Sequence, residues 1–193
     1  ADGLIFPAGT FYLNEEVLAQ LKNLKLIQCP GAGFDHIDLE AAARIGITVA
    51  NVPGQNFAAV AEFTVGLIIA LQRKIVWSDN EIKKGNYSDL RNDLLSHGIP
   101  EISGSKIGIV GMGAIGLQTA KILRMLNANV RYYSRTLKSI EIDKEYQFQY
   151  LPLDELLSTS DIVSLHVPLT DKSRGMIGSA ELAHMKCGAF LIN

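Results

Sequence analysis

The stretch "KIGIVGMGAIGLQTAKIL", residues 106–123, decides how the rest of the chain is read. "KIGIV" is a short apolar run of the kind that forms a buried strand, and "AIGLQTAKIL" carries apolar residues at helical spacing. Between them Gly111, Gly113 and Gly116 form the pattern G-x-G-x-x-G. A strand before it and a helix after it are the context that gives this weak pattern meaning. The three glycines then play different parts. Gly111 permits the tight turn, Gly113 lets the backbone approach a pyrophosphate, and Gly116 lets the helix lie close on the strand. N–H groups at the helix start face the phosphates, aided by the helix dipole. The bland alternative is a tight strand-to-helix turn that holds no ligand.

Outward toward the C-terminus, "NVRYY" (129–133) predicts the next strand. An Asp or Glu about 20 residues past the glycines would accept from a ribose 2′-hydroxyl and favour NAD. This chain has Ser134, Arg135 and Thr136 there, and no acid before Glu141. Serine and threonine can donate to a phosphate, and the planar guanidinium of arginine is its natural partner. The pattern therefore favours NADP(H), with NAD(H) as the alternative. A variable piece around "SIEIDKEYQF" follows. Then come a helix "LDELLST", a strand "DIVSLHVP", a helix "SAELAHM" and a strand "GAFLIN".

Toward the N-terminus the same alternation holds. "GLIFP" and "LKLIQCP" (24–30) read as strands, and "NEEVLAQLKNL" (14–24) as a helix capped by Asn14 with Glu15 and Glu16 at its positive end. "DLEAAARIG" (38–46) reads as a helix capped by Asp38 and ended by Gly46, and "ITVANVP" (47–53) as a strand before a Pro-Gly turn. Residues 56–74 form a long helix, with Asn56 as its cap, that is apolar nearly all round, so it must be buried between layers, domains or subunits. Polar residues from Ser78 to Ser105 make a connector of helix and loop. Strands alternating with helices predict an α/β protein with parallel sheets. The expected domains are residues 1–55, a connector region 56–105, and residues 106–193.

Composition narrows the function. The chain is 48% hydrophobic and 20% charged, which suits a soluble globular protein. Its net charge of −2 comes without a basic stripe interleaved with aromatics, which argues against nucleic acid as a partner. The apolar run at 57–71 contains Glu62 and is too short to cross a bilayer, and no signal peptide opens the sequence, so a cytoplasmic protein is expected. Cys29 and Cys187 lie far apart and are expected to be reduced core residues. No metal-ligating motif stands out.

Taken together, "CPGAGFDHIDLEAAARIGITVANVPGQN", "VAEFTVGLIIAL", "GSKIGIVGMGAIG" and "DIVSLHVPLTDKSRGMI" resemble the D-isomer-specific 2-hydroxyacid dehydrogenases over nearly the whole chain. "YYSRT" looks most like the NADPH-preferring glyoxylate and hydroxypyruvate reductases of that family. The resemblance implies a partial flavodoxin-like substrate domain at 1–55 and a partial doubly wound Rossmann domain at 106–193, with the long helix and connector at 56–105 forming the contact of a homodimer. It places the nucleotide loop on Met112, Gly113, Ala114 and Ile115. The 2′-phosphate clamp falls on Ser134, Arg135 and Thr136, and a loop beside the cofactor on Val167, Pro168 and Thr170. It brings the carboxylate of a small 2-oxo or 2-hydroxy acid to the backbone around Ala32, Gly33 and Phe34, where a glycine-flanked turn exposes N–H donors.

The family's catalytic Arg, His and Glu have no match within these residues. The Arg would follow "FLIN" by about three positions, and the family has a further strand and helix before "DGLIFP", so the chain is expected to be an internal piece of a longer enzyme. Of the four histidines, His36 is expected to cap or pack beside its turn and His166 to flank the cofactor, while His97 and His184 are expected to be structural. The rival reading is a non-catalytic nucleotide sensor, like the co-repressor relatives of the same fold.

Overall fold

The computed structural model describes residues 1–7, 9 and 11–193. The chain divides into two units, Ala1–Asn56 and Phe57–Asn193.

In the first unit β1 (Gly3–Ile5), β2 (Leu26–Gln28) and β3 (Thr48–Ala50) form a parallel sheet in that order, with Leu4, Ile27 and Val49 in register. Parallel neighbours require crossovers, and these are α1 (Glu15–Gln20) and α2 (Leu39–Arg44). Both helices start where the sequence caps them. Asn14 accepts from Val17 N–H at 3.0 Å and Asp38 from Ala41 N–H at 2.9 Å. Helix α1 ends earlier than the pattern predicts, because Leu21 N–H turns back to the Leu18 carbonyl and Leu24 to Leu21. Leu13, Leu18, Ile27, Cys29 and Ala42 fill the core. Burial pushes the Cys29 thiol pKa up.

The second unit begins with α3 (Phe57–Gln72), α4 (Ile75–Lys83) and α5 (Tyr87–His97). A five-stranded parallel sheet follows, of β4 (Lys106–Val110), β5 (Asn129–Tyr133), β6 (Gln149–Tyr150), β7 (Ile162–Leu165) and β8 (Phe190–Ile192). Helices α6 (Ala114–Met125), α7 (Ile140–Tyr146), α8 (Leu153–Thr159) and α9 (Ser179–His184) lie between the strands. The strand order is β6-β5-β4-β7-β8, so the chain runs outward from β4 to one edge and then returns to β4's other side. Side chains of a strand alternate between faces. Ile107 and Ile109 of β4 pack with α3 and α6 through Ile68, Ala120 and Leu123, whereas Val110 packs with Leu156, Leu157 and Val163 on the opposite face.

Helix α3 buries Ala61, Thr64, Val65, Ile68 and Gln72, while Phe63 on another face is 69% exposed. Gln72 joins the helix end to the approach of β4: its Nε2 donates to the Glu101 carbonyl at 2.8 Å and to Ser105 Oγ at 2.7 Å. At the starts of β4, β7 and β8, Asp161 accepts from Lys106 N–H at 2.8 Å and from Lys186 Nζ. Cys187 corrects an expectation. It is exposed, because it lies on the short turn between α9 and β8, whereas Cys29 is buried. No helix among the described residues is long and apolar enough to cross a membrane.

Candidate functional site

In an open parallel sheet, ligands bind beyond the carboxyl ends of the strands where the strand order reverses. Here that point lies between β4 and β7. A cavity of about 550 Å³ opens there, lined by the turns that follow β4, β5 and β7.

The turn after β4 is built as its glycines suggest. Gly111 has φ +97°, and a Cβ on it would sit 2.5 Å from the His166 carbonyl oxygen of the neighbouring turn. Gly116 is buried in the first turn of α6, where a Cβ would collide with the Gly111 carbonyl oxygen, so the helix can lie this close only without one. Gly113 caps α6 in an extended conformation, and a Cβ there would meet nothing within 4 Å. The first four N–H groups of a helix have no intrahelical acceptor, and no side chain caps α6. A 12-residue helix thus directs donors and its positive dipole end beside the cavity. Gly111, Met112 and Gly113 line the cavity; Ala114, Ile115 and Gly116 form the helix turn behind them.

The turn after β5 supplies Ser134, Arg135 and Thr136 to the same wall, together with Lys138. Val167, Pro168 and Thr170 come from the turn after β7, with His166, Lys172, Ser173 and Met176. Ser173 Oγ stiffens that turn by donating to the Pro168 carbonyl at 2.5 Å and accepting from Thr170 N–H at 2.8 Å. His166 Nε2 lies 3.0 Å from Ser164 Oγ, and burial lowers the pKa of the ring to about 4. It is neutral at pH 7, and among the described residues no carboxylate stands in the cavity wall to raise its basicity.

Lys138 and Lys172 are charged site residues that motif reading misses, as it does Ser173 and Met176. Each lysine lies two positions beyond a residue it did identify, Thr136 and Thr170, on a turn whose path the sequence pattern does not define. The charge of both lysines was legible; their direction was not.

Ala32, Gly33 and Phe34 belong to the first unit. They are exposed, on the turn after β2 that Asn51 braces by donating to the Ala32 carbonyl at 2.8 Å. His36 packs on Phe6 with ring centroids 5.2 Å apart, and both its ring nitrogens are buried without a hydrogen-bond partner among the described residues. His97 pairs with Asp93 on the exposed face of α5, and His184 lies exposed on α9. No cluster of potential metal ligands occurs among the described residues.

A parallel sheet in this order, with a glycine turn at its switch point and a helix start facing a cavity, defines a Rossmann-type nucleotide-binding fold. Comparison with known proteins gives the family. The model of the D-isomer specific 2-hydroxyacid dehydrogenase NAD binding domain matches residues 65–193. The glyoxylate reductase of Aeropyrum pernix is 41% identical over 181 residues, covering 92% of this chain and 53% of its own length. Among solved structures, a Granulicella m. formate dehydrogenase superposes with a TM-score of 0.91 at 31% identity, over 99% of this chain and 50% of that one. A D-lactate dehydrogenase from Aquifex aeolicus, solved with NAD and lactic acid, gives 0.88 at 33% identity, over 100% of this chain and 56% of that one. The chain belongs to the D-isomer specific 2-hydroxyacid dehydrogenases, and it spans about half the length of the relatives it matches.

Proposed function

We propose that the protein reduces a small 2-oxo acid of the glyoxylate or hydroxypyruvate type to the D-2-hydroxy acid, with NADPH as the preferred cofactor. One observation carries the cofactor reading. The cavity wall holds Arg135, Lys138 and Lys172 beside Ser134 and Thr136, and no carboxylate among the described residues. An acid at the end of β5 would accept from a ribose 2′-hydroxyl but repel a 2′-phosphate. Cations and hydroxyls reverse that preference, since arginine meets phosphate oxygens with paired, charge-assisted hydrogen bonds.

The geometry of the glycine turn fits a dinucleotide. The space above Gly113 admits a close backbone approach, and the start of α6 offers N–H donors to a pyrophosphate. When bound, the nicotinamide supplies the hydride for the substrate carbonyl carbon. Ser134, Arg135, Thr136 and Lys138 would hold the 2′-phosphate. Val167, Pro168 and Thr170 would wall the cofactor on the side of β7, and neutral His166 would stay with Ser164 and deliver no proton. The exposed turn at Ala32, Gly33 and Phe34 would receive the substrate carboxylate on its N–H groups. The similarity to the Aeropyrum pernix glyoxylate reductase supports the substrate class. The exposed apolar side chains Phe63 of α3 and Val76 of α4 fit the contact of a homodimer.

The test is reduction of glyoxylate and hydroxypyruvate by the full-length protein with NADPH and with NADH. Saturable reduction with a higher kcat/KM for NADPH is expected. Arg135→Asp should cost NADPH about 10- to 100-fold, the worth of a charged hydrogen bond, with little loss for NADH. No turnover of either 2-oxo acid would end the substrate reading.

A further inference from the structure

Tyr132 in β5 is fully buried, with its ring against Tyr150 at 5.7 Å between centroids. A phenylalanine would fill such a place, so the hydroxyl needs a reason. It donates to Asp143 Oδ2 at 2.9 Å and accepts from Lys138 N–H at 3.1 Å. Lys138 stands at the far end of the turn that presents Ser134, Arg135 and Thr136 to the cavity, and Asp143 lies in the first turn of α7. The bond to Tyr132 is the one hydrogen bond, among the described residues, that fixes the backbone of residues 134–138. The arrangement keeps a cost in place, because Asp143 Oδ1 is buried without a partner. Burying an incompletely paired carboxylate is unfavourable. Neither Tyr132 nor Asp143 lines the cavity.

We propose that Tyr132 and Asp143 are positioning residues for recognition of the extra phosphate of NADPH. Their hydrogen-bonded pair pins the Lys138 end of the turn, and so aims Arg135 and Lys138 at one point. The proposal rests on the NADPH reading above and adds a device that sets how strongly the phosphate is preferred. Without the pin the turn keeps its charges but loses their common direction. Binding of the 2′-phosphate then weakens, while the pyrophosphate grip at Gly111 and Gly113, on a different turn, is untouched.

The experiment measures dissociation constants of NADPH and NADH for the full chain and for Tyr132→Phe, Asp143→Ala and Asp143→Asn, with melting curves of each. Tyr132→Phe and Asp143→Ala should weaken NADPH about five- to tenfold, as for one lost hydrogen bond, and leave NADH within about twofold. Asp143→Asn keeps an acceptor for the tyrosine and should retain most of the NADPH preference. Equal losses for the two cofactors, or an unchanged NADPH constant, would overturn the proposal. If Tyr132→Phe fails to fold, the contrast between Asp143→Ala and Asp143→Asn decides it. Tighter NADH binding by the unsubstituted protein would instead overturn the cofactor reading, before any variant is compared, and this proposal with it.

Discussion

Acidification should destabilise the second unit, and one ring, His166, has a share that can be measured by itself. The group titrates near 6.5 in an unfolded chain, but burial in the turn after β7 lowers its native pKa to about 4. Between those values the unfolded chain takes up a proton that the native protein refuses. The unfolded state then binds more protons, and stability rises with pH across that window. The penalty is absent above about pH 6.5 and fully developed below about pH 4. At 1.36 kcal/mol per tenfold change in proton affinity, it amounts to roughly 2–3 kcal/mol for a ring mostly shielded from solvent. Urea unfolding of the wild type and His166→Gln at pH 7, 6, 5 and 4 would measure it. Trp77, the single tryptophan, lies on α4 and reports on this unit. Glutamine places its amide where Nε2 stood and so can keep a partner for Ser164 Oγ, and the other titrating groups are common to both proteins, so they drop out of the difference. That difference should move by about 2–3 kcal/mol in favour of the variant between pH 7 and pH 4. A difference independent of pH would refute the assignment of a buried, neutral imidazole.

Other substitutions separate packing from binding. Gly116→Ala forces α6 away from the Gly111 carbonyl and should cost about 1–3 kcal/mol, read as a lower urea midpoint, with loss of nucleotide binding. Gly113→Ala meets open space at a φ of −73°; its urea midpoint should stay close to the wild type while nucleotide affinity falls. Leu156 is fully buried between α8 and β4, so Leu156→Ala should cost about 2–5 kcal/mol by leaving a cavity, again read from the urea midpoint.

Much of the fold was legible because its signals are local. Asn14 and Asp38 begin helices by accepting from the third residue onward, and the strand–glycine–helix run at 106–123 announces its own geometry. The crossing point of the second sheet was not written in any one segment. It follows from β7 pairing with β4, more than fifty residues away in sequence. The cavity shares this character. The residues from 111 to 113 and from 134 to 136 were marked by their own chemistry, and Val167, Pro168 and Thr170 by the family resemblance, yet only the strand order brings the three turns to one edge. Lys138, Lys172 and the buried Tyr132–Asp143 pair escaped because their roles depend on the path of a turn. Cys187 was misplaced for a related reason: hydrophobic character fits a core, but its position on the turn between α9 and β8 leaves it at the surface.

In the proposed reading, Arg135, Lys138 and Lys172 with Ser134 and Thr136, and no carboxylate at the end of β5 among the described residues, select the extra phosphate. A fluorescence titration of the protein with NADPH and NADH in one buffer, repeated at two salt concentrations, tests it directly. NADPH is expected to bind at least about tenfold tighter at low salt, with the gap narrowing as salt screens the cations. Equal binding, or tighter NADH, would contradict it.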